Sequence, residues 1–217
     1  MTIDPCQLYL ISPLDIGGDF PQQLIAALDA GPVAAFQLRV QTANQHEAAK
    51  LAEPLRAICE ERDVAFMVAN DIALAKRLRA DGIHFERVEE GDTKEARQQL
   101  GVETQIGISC FGSRHLAMEA GEAGADYVSF GAFYPTDTVE VTEYADPELL
   151  TWWQDLFELP SVAIGGIKPD NAAALIEAGA DFLAVCSGVW QHPEGPAAAV
   201  KAFTDLMAEA AKADDAE

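Results

Sequence analysis

Eight short apolar runs, each followed by an amphipathic stretch, govern what this chain can fold into. The runs are QLYLIS (7–12), VAAFQLR (33–39), VAFMVAN (64–70), GIHF (82–85), TQIGIS (104–109), DYVSFGA (126–132), SVAIGG (161–166) and DFLAVCS (181–187). Apolar residues recur at helical spacing over 20–30, 44–62, 71–80, 92–100, 112–124, 146–158, 169–179 and 196–212. The sixth of these is the least regular, because Trp152, Trp153, Leu156, Phe157 and Leu159 crowd its apolar face. Strands that are apolar almost throughout are buried on both faces, as in parallel sheets. Strand alternating with helix builds right-handed βαβ units. Eight units of about 27 residues, with no linker and no break in composition, predict one α/β domain over 1–217, a closed (β/α)8 TIM barrel. An open doubly wound sheet is the competitor, and eight repeats favour the barrel. The tail, from about 205 to 217, is expected to be a fraying helix end.

Charge narrows the partners. Lys and Arg number 14 against 36 Asp and Glu, a formal charge of −22. That field repels nucleic acid and anionic membranes, and it also repels phosphorylated molecules, so a phosphate site must bring its own local cations. The bland account of the acidity is solubility. Cys6, Cys59, Cys110 and Cys186 form no CxxC pair, which suits reduced thiols in a cytoplasmic protein. The N-terminus has no basic region followed by a long apolar stretch, and no run approaches the ~20 apolar residues of a membrane helix. Oligomeric state stays open, a homo-oligomer included.

Three segments, ADGIHF, GADYVSF and GADFLAV, run from a helix end through a turn into a strand. They read as equivalent joints at the bottom of a symmetric barrel, the Gly serving as helix stop. In such barrels the chemistry lies at the opposite rim, where the strands end. There the sequence places Arg39, Asn70 and Asp71, His84 with the acidic stretch from Glu86 to Glu90, Ser109, Thr136 and Thr138, Gly165 and Gly166, and Cys186 and Ser187. Singly, each has a structural reading, such as a helix cap for Asp71 or Ser109. A polar set at nearly every strand exit is stronger evidence. GGIKPDN and CSGVW have the character of a barrel phosphate cradle of backbone N–H groups. Asp71 and an acid after the fourth strand could share Mg2+, with diphosphate oxygens completing its shell. The structural alternative for Glu89 and Glu90 is a solvated acidic turn.

LYLIS, FQLR, the Asn70-Asp71 pair, ADGIH, GIS, GADYVSFGAFYPTDT, AIGGI and FLAVCS, in this order, resemble the thiamine phosphate synthase and thiazole tautomerase family over nearly the whole chain. The resemblance implies a transferase that joins a pyrimidine diphosphate to a thiazole phosphate and releases pyrophosphate. It implies that Gln37, Arg39 and Asn70 meet the pyrimidine diphosphate, that Gln41 stands in the same substrate-binding stretch, and that Ser109 bonds the pyrimidine or the pyrophosphate. It further implies that Thr136, Thr138, Gly166, Cys186 and Ser187 hold the thiazole phosphate, and that Asp71 with Glu89 ligates Mg2+, Glu90 being the other choice. Arg39 and Ser109 would then carry a dissociative substitution, in which positioning and charge stabilisation replace a nucleophile or strong base.

The sequence departs from that pattern at several places. Gln41 and Val139 stand where the family has lysines, Ile72 follows the Asn-Asp pair where arginine is usual, and FERVEE replaces Gly-Gln-x-Asp. Replacement cations to consider are Arg87, Arg114 and Lys168, the last being nearest the cradle along the chain. A tautomerase needs a histidine soon after the strand-five serine, but Cys110 and Phe111 follow Ser109, and His115 comes only later. His84 is expected to be structural, and His46 and His192 to lie at the surface. The synthase reading leads, with a non-catalytic phosphate- or thiamine-precursor-binding barrel and a tautomerase as alternatives.

Overall fold

A computed structural model describes residues 5–40, 44–87, 92–136 and 143–214. The eight apolar runs form β1 (Gln7–Ile11), β2 (Ala35–Leu38), β3 (Ala65–Ala69), β4 (Gly82–Phe85), β5 (Gln105–Phe111), β6 (Tyr127–Phe130), β7 (Ser161–Ile164) and β8 (Phe182–Val185). Each pairs in parallel with the next, and β1 returns to β8, so the sheet closes into a barrel. The helices are α1 (Phe20–Leu28), α2 (Gln45–Glu60), α3 (Ile72–Leu78), α4 (Asp92–Leu100), α5 (Arg114–Glu122), α6 (Glu148–Leu156), α7 (Ala173–Glu177), α8 (Ser187–Trp190) and α9 (Pro196–Asp214).

Period-two alternation divides each strand between two layers. Tyr9, Ile11, Ala35, Met67, Tyr127, Val162 and Ala184 fill the barrel interior. Their neighbours, among them Leu8, Leu10, Phe36, Leu38, Phe66 and Val68, point outward under the helices. Ile83, Phe85 and Ile106 do the same under α4. The one-carbon difference between Gly and Ala matters inside: a Cβ at Gly107 would overlap the Tyr127 ring, so glycine there lets that ring cross the barrel.

The three repeated joints are equivalent in structure. Asp81 accepts the Phe66 N–H (2.7 Å), Asp126 the Ile106 N–H (2.7 Å), and Asp181 both the N–H (2.7 Å) and hydroxyl (3.0 Å) of Ser161. Each aspartate before an even strand thus holds the first free donors of the preceding odd strand. Asp126 also pairs with Arg97 at 2.7 Å.

The differences from the expected elements are local. α7 is shorter than 169–179, because the Asn171 side chain takes the Lys168 N–H (2.8 Å) and donates to the Gly166 carbonyl (3.1 Å), holding that stretch as a turn. The one-turn α8 was not anticipated. β5 runs on to Phe111, which sits at φ 53 and about half exposed. The C-terminal stretch stays helical to Asp214. Among the described residues no helix is long and apolar enough to cross a membrane. All four cysteines are free thiols.

Candidate active site

The strand exits surround a cavity of about 1100 Å3. Arg39, Ser109, Thr136, Gly166, Cys186 and Ser187 all line it, so residues from the ends of five strands, β2, β5, β6, β7 and β8, converge on one cavity. A smaller recess of about 510 Å3 adjoins it and is lined by Asn70 and Asp71. Arg39 and Glu86 line both and stand between them.

The divide is an ion pair. Arg39 Nε lies 3.0 Å from Glu86 Oε1, with Arg39 mostly buried and Glu86 40% exposed. Asn70 Nδ2 donates to Glu86 Oε2 (3.1 Å), and the Glu86 N–H donates to Asn70 Oδ1 (2.8 Å). Asn70 makes this clamp from the left-handed region, φ 60, which asparagine tolerates better than most residues. Arg39 is anchored from behind, its N–H donating to Ser12 Oγ at 2.9 Å. Sequence reasoning placed Glu86 in an acidic stretch but did not foresee that it would occupy the very guanidinium expected to bind an anion.

Asp71 caps α3, its Oδ1 accepting the Leu74 N–H at 2.8 Å, and it still lines the recess. Capping the helix therefore does not take the residue out of the recess. Ser109 is not a cap; it lies within β5, with its Oγ 2.9 Å from His84 Nε2 and 3.1 Å from Ser129 Oγ. His84 holds a structural place, as expected. It is buried inside the barrel, and desolvation lowers its pKa from 6.5 to about 4, so it is neutral at pH 7. Its Nδ1 meets Tyr127 Oη (3.0 Å), which meets Tyr9 Oη (3.1 Å), which donates to Gln37 Oε1 (3.0 Å). Gln37 is thus buried as the inner end of this string and lines neither cavity. Alternation in GIHF, with Ile83 and Phe85 facing outward, is the signal that could have sent His84 inward.

Gly166 lines the cavity at φ 66, and a Cβ there would overlap the Pro135 carbonyl oxygen. Only glycine allows the turn after β7 to pack against the segment that carries Thr136. Burial raises the Cys186 thiol above its ordinary pKa, Arg39 pulling weakly the other way, so this cysteine is a lining group rather than a nucleophile.

Among the described residues, the cations that line the larger cavity are Arg39, Arg87 and Arg114. The Arg114 guanidinium carbon sits 4.7 Å from the Trp152 ring centroid. Lys168 is exposed and lines neither cavity, so its nearness to the cradle along the chain does not bring it into the site. His115 is exposed on α5 and lies 3.4 Å from Glu119. His46 is exposed, while His192 is half-buried. Gln41, Glu89, Glu90, Thr138 and Val139 lie outside the described residues.

Residues 8–189 match the family model described as thiamine monophosphate synthase. The thiamine-phosphate synthase of Erythrobacter litoralis is 60% identical over 210 residues, covering 95% of this chain and 97% of that one. The thiamine-phosphate synthase of Rhodospirillum centenum is 51% identical over 203 residues, covering 93% and 98%. Among solved structures, the thiamine phosphate pyrophosphorylase of Pyrococcus furiosus superposes with a TM-score of 0.82 at 28% identity, covering 94% of this chain and 96% of that one.

Proposed function

Since this chain belongs to the thiamine monophosphate synthase family, we propose that it joins 4-amino-2-methyl-5-(diphosphomethyl)pyrimidine to a thiazole phosphate and releases pyrophosphate. It is a transferase. The observation that carries the assignment to this site is the convergence of Arg39, Ser109, Thr136, Gly166, Cys186 and Ser187 on one cavity of about 1100 Å3. That volume lies at the upper end for small-molecule sites and suits two phosphorylated molecules side by side.

The division of labour follows from the lining. Arg39, set where the two cavities meet, holds the diphosphate and stabilises the negative charge that grows on leaving pyrophosphate. Arg87 and Arg114 supply the further positive charge that an acidic chain must concentrate at its site. Thr136, Gly166 and Ser187 receive the thiazole phosphate on the opposite side. No nucleophile is called for: the neighbouring thiol is held protonated, and the histidine within reach of Ser109 is buried and neutral. The work is alignment of a ring nitrogen with a carbon that is losing its leaving group.

Mg2+ fits the recess beside Arg39. Asp71, Asn70 and Glu86 line it with hard oxygen donors, the chemistry Mg2+ prefers. Among the described residues no group of three or more His, Cys, Asp or Glu could hold a metal, so an ion held here would draw further ligands from the diphosphate oxygens. Asp71 is the ligand proposed first, with Glu89 as the second acid. Bound there, the ion supplies charge neutralisation for the diphosphate.

The test supplies both substrates with Mg2+ and follows thiamine phosphate and pyrophosphate together. Stoichiometric formation of the two is expected, with loss of turnover in Arg39→Ala. Binding of both substrates without turnover would instead establish a non-catalytic barrel.

A further inference from the structure

The string of side chains inside the barrel carries one proton per link, so the identity of one end fixes every donor along it. Gln37 Oε1 can only accept, and it takes the single hydroxyl proton of Tyr9. Tyr9 then has no proton to offer, so across their 3.1 Å contact Tyr127 donates to Tyr9. Tyr127, its own proton spent, must accept at 3.0 Å from His84 Nδ1–H. A neutral imidazole has one N–H, so Nε2 is bare and accepts the Ser109 hydroxyl proton at 2.9 Å. Ser129, 3.1 Å from Ser109, is left to donate to it. His84 is 3% exposed and its two ring nitrogens meet only the Tyr127 and Ser109 hydroxyls, with no carboxylate to balance a charge, which excludes the doubly protonated ring. The Tyr127 ring stacks on His84, with centroids 5.5 Å apart, and Gly107 leaves the room for it to do so.

Ser109 therefore faces the cavity with a lone pair and no proton. A phosphate oxygen would set lone pair against lone pair; an N–H donor fits. We infer that Ser109 recognises the exocyclic amino group of the pyrimidine rather than a phosphate oxygen, and that Tyr9, Tyr127 and His84 are positioning residues that hold it in this polarity. The inference rests on the synthase reading for its substrate. The bond also strengthens during reaction. When the carbon–oxygen bond to the diphosphate breaks, its electron pair leaves with pyrophosphate, and the positive charge spreads from the carbon through the ring to the amino nitrogen. That N–H becomes a stronger donor to Ser109 until the thiazole nitrogen gives its own pair to the carbon. An interaction that tightens in the transition state raises kcat more than it lowers KM.

The first test needs no substrate. Long-range proton–nitrogen NMR correlation on the full chain labelled with 15N-histidine should show His84 protonated at Nδ1 and bare at Nε2. Protonation at Nε2 would overturn the polarity and the recognition derived from it. In Tyr127→Phe the tautomers should mix, and kcat should fall more than KM rises; a tautomer unmoved by that change would overturn the role given to Tyr127. Calorimetry supplies the second arm. Ser109→Ala should weaken binding of 4-amino-5-hydroxymethyl-2-methylpyrimidine about tenfold, the effect of one lost hydrogen bond. Pyrophosphate affinity should stay within about twofold in the same variant. The reverse pattern overturns the inference. If the natural chain binds no aminopyrimidine at all, the synthase reading fails and the amino-group assignment with it, while the tautomer measurement still decides the polarity.

Discussion

Glu86 sits on the guanidinium proposed to receive the diphosphate, so its charge should oppose binding. The replacement Glu86→Gln keeps the shape and the acceptor for Asn70 Nδ2, while the backbone bond from Glu86 to Asn70 Oδ1 is untouched. What it removes is one negative charge 3.0 Å from Arg39 Nε, together with the acceptor of that N–H, since the amide has only one oxygen. An anion seated on Arg39 would feel that charge at ~5 Å; with Glu86 40% exposed, an effective dielectric of ~40 is apt, which gives ~1–2 kcal/mol per unit charge after solvent screening. That corresponds to about tenfold tighter binding. Calorimetric titration with pyrophosphate, without metal, should show this gain, and it should shrink as salt is raised. Unchanged affinity would mean that the anion does not sit on Arg39. Weaker affinity confined to titrations containing Mg2+ would mean that Glu86 is itself a metal ligand, and the repulsion argument would be wrong.

Other expectations follow from the same geometry. Asp181→Ala strands two donors of Ser161, which is fully buried, and should destabilise by ~3–4 kcal/mol, whereas Asp81→Ala strands one backbone donor and should cost ~1.5–3 kcal/mol. Urea midpoints at constant slope should preserve that order; a larger effect at Asp81 would contradict the joint argument. His84 is held at about 4 in the fold against 6.5 when free, so its protonation opposes folding. Its contribution should be constant above pH 6.5 and be lost as pH falls toward 4, reaching about 3 kcal/mol, and in His84→Gln this part of the pH dependence should vanish. Arg114→Ala should raise KM for a phosphorylated substrate by about tenfold or more, one lost charge-assisted contact, whereas Lys168→Ala should leave the kinetics unchanged. Equal effects of the two would remove the cavity lining as a guide to the missing cations.

The barrel and its joints were legible because both follow from periodicity: apolar runs mark the strands, and the recurring Ala-Asp marks where a carboxylate meets strand N–H groups. The ring of site residues was legible for a related reason, since a strand's end fixes which rim a residue occupies. What stayed hidden depends on partners across strands. Nothing local to FERVEE says that Glu86 will lie against Arg39 and Asn70, which reach it from two other strand exits. Gln37 was assigned to the substrate by resemblance, but Tyr9, from the neighbouring strand, engages it inside the barrel. Lys168 is nearest the cradle along the chain, yet the turn built around Asn171 leaves it exposed and outside both cavities. Metal binding at Asp71 with Glu89 remains a proposal.

The seam between β1 and β8 differs in kind from the aspartate joints. The joints tie residues 15, 20 and 20 positions apart, whereas Trp190 Nε1 donates to the Ile11 carbonyl across 179 positions. Closing the longer span costs ~2 kcal/mol more in chain entropy, so local pairs have reason to form before the ring does. Yet Ser12, which fixes the backbone of Arg39, lies just past β1, and its carbonyl accepts from Cys186 at 3.6 Å, just past β8. Arg39, the arginine proposed to bind the diphosphate, is thus indexed to the last seam to be sewn. A half-assembled barrel would have strands, helices and a core but no functional mouth, so binding competence should report on completion of the ring rather than on compaction of the chain.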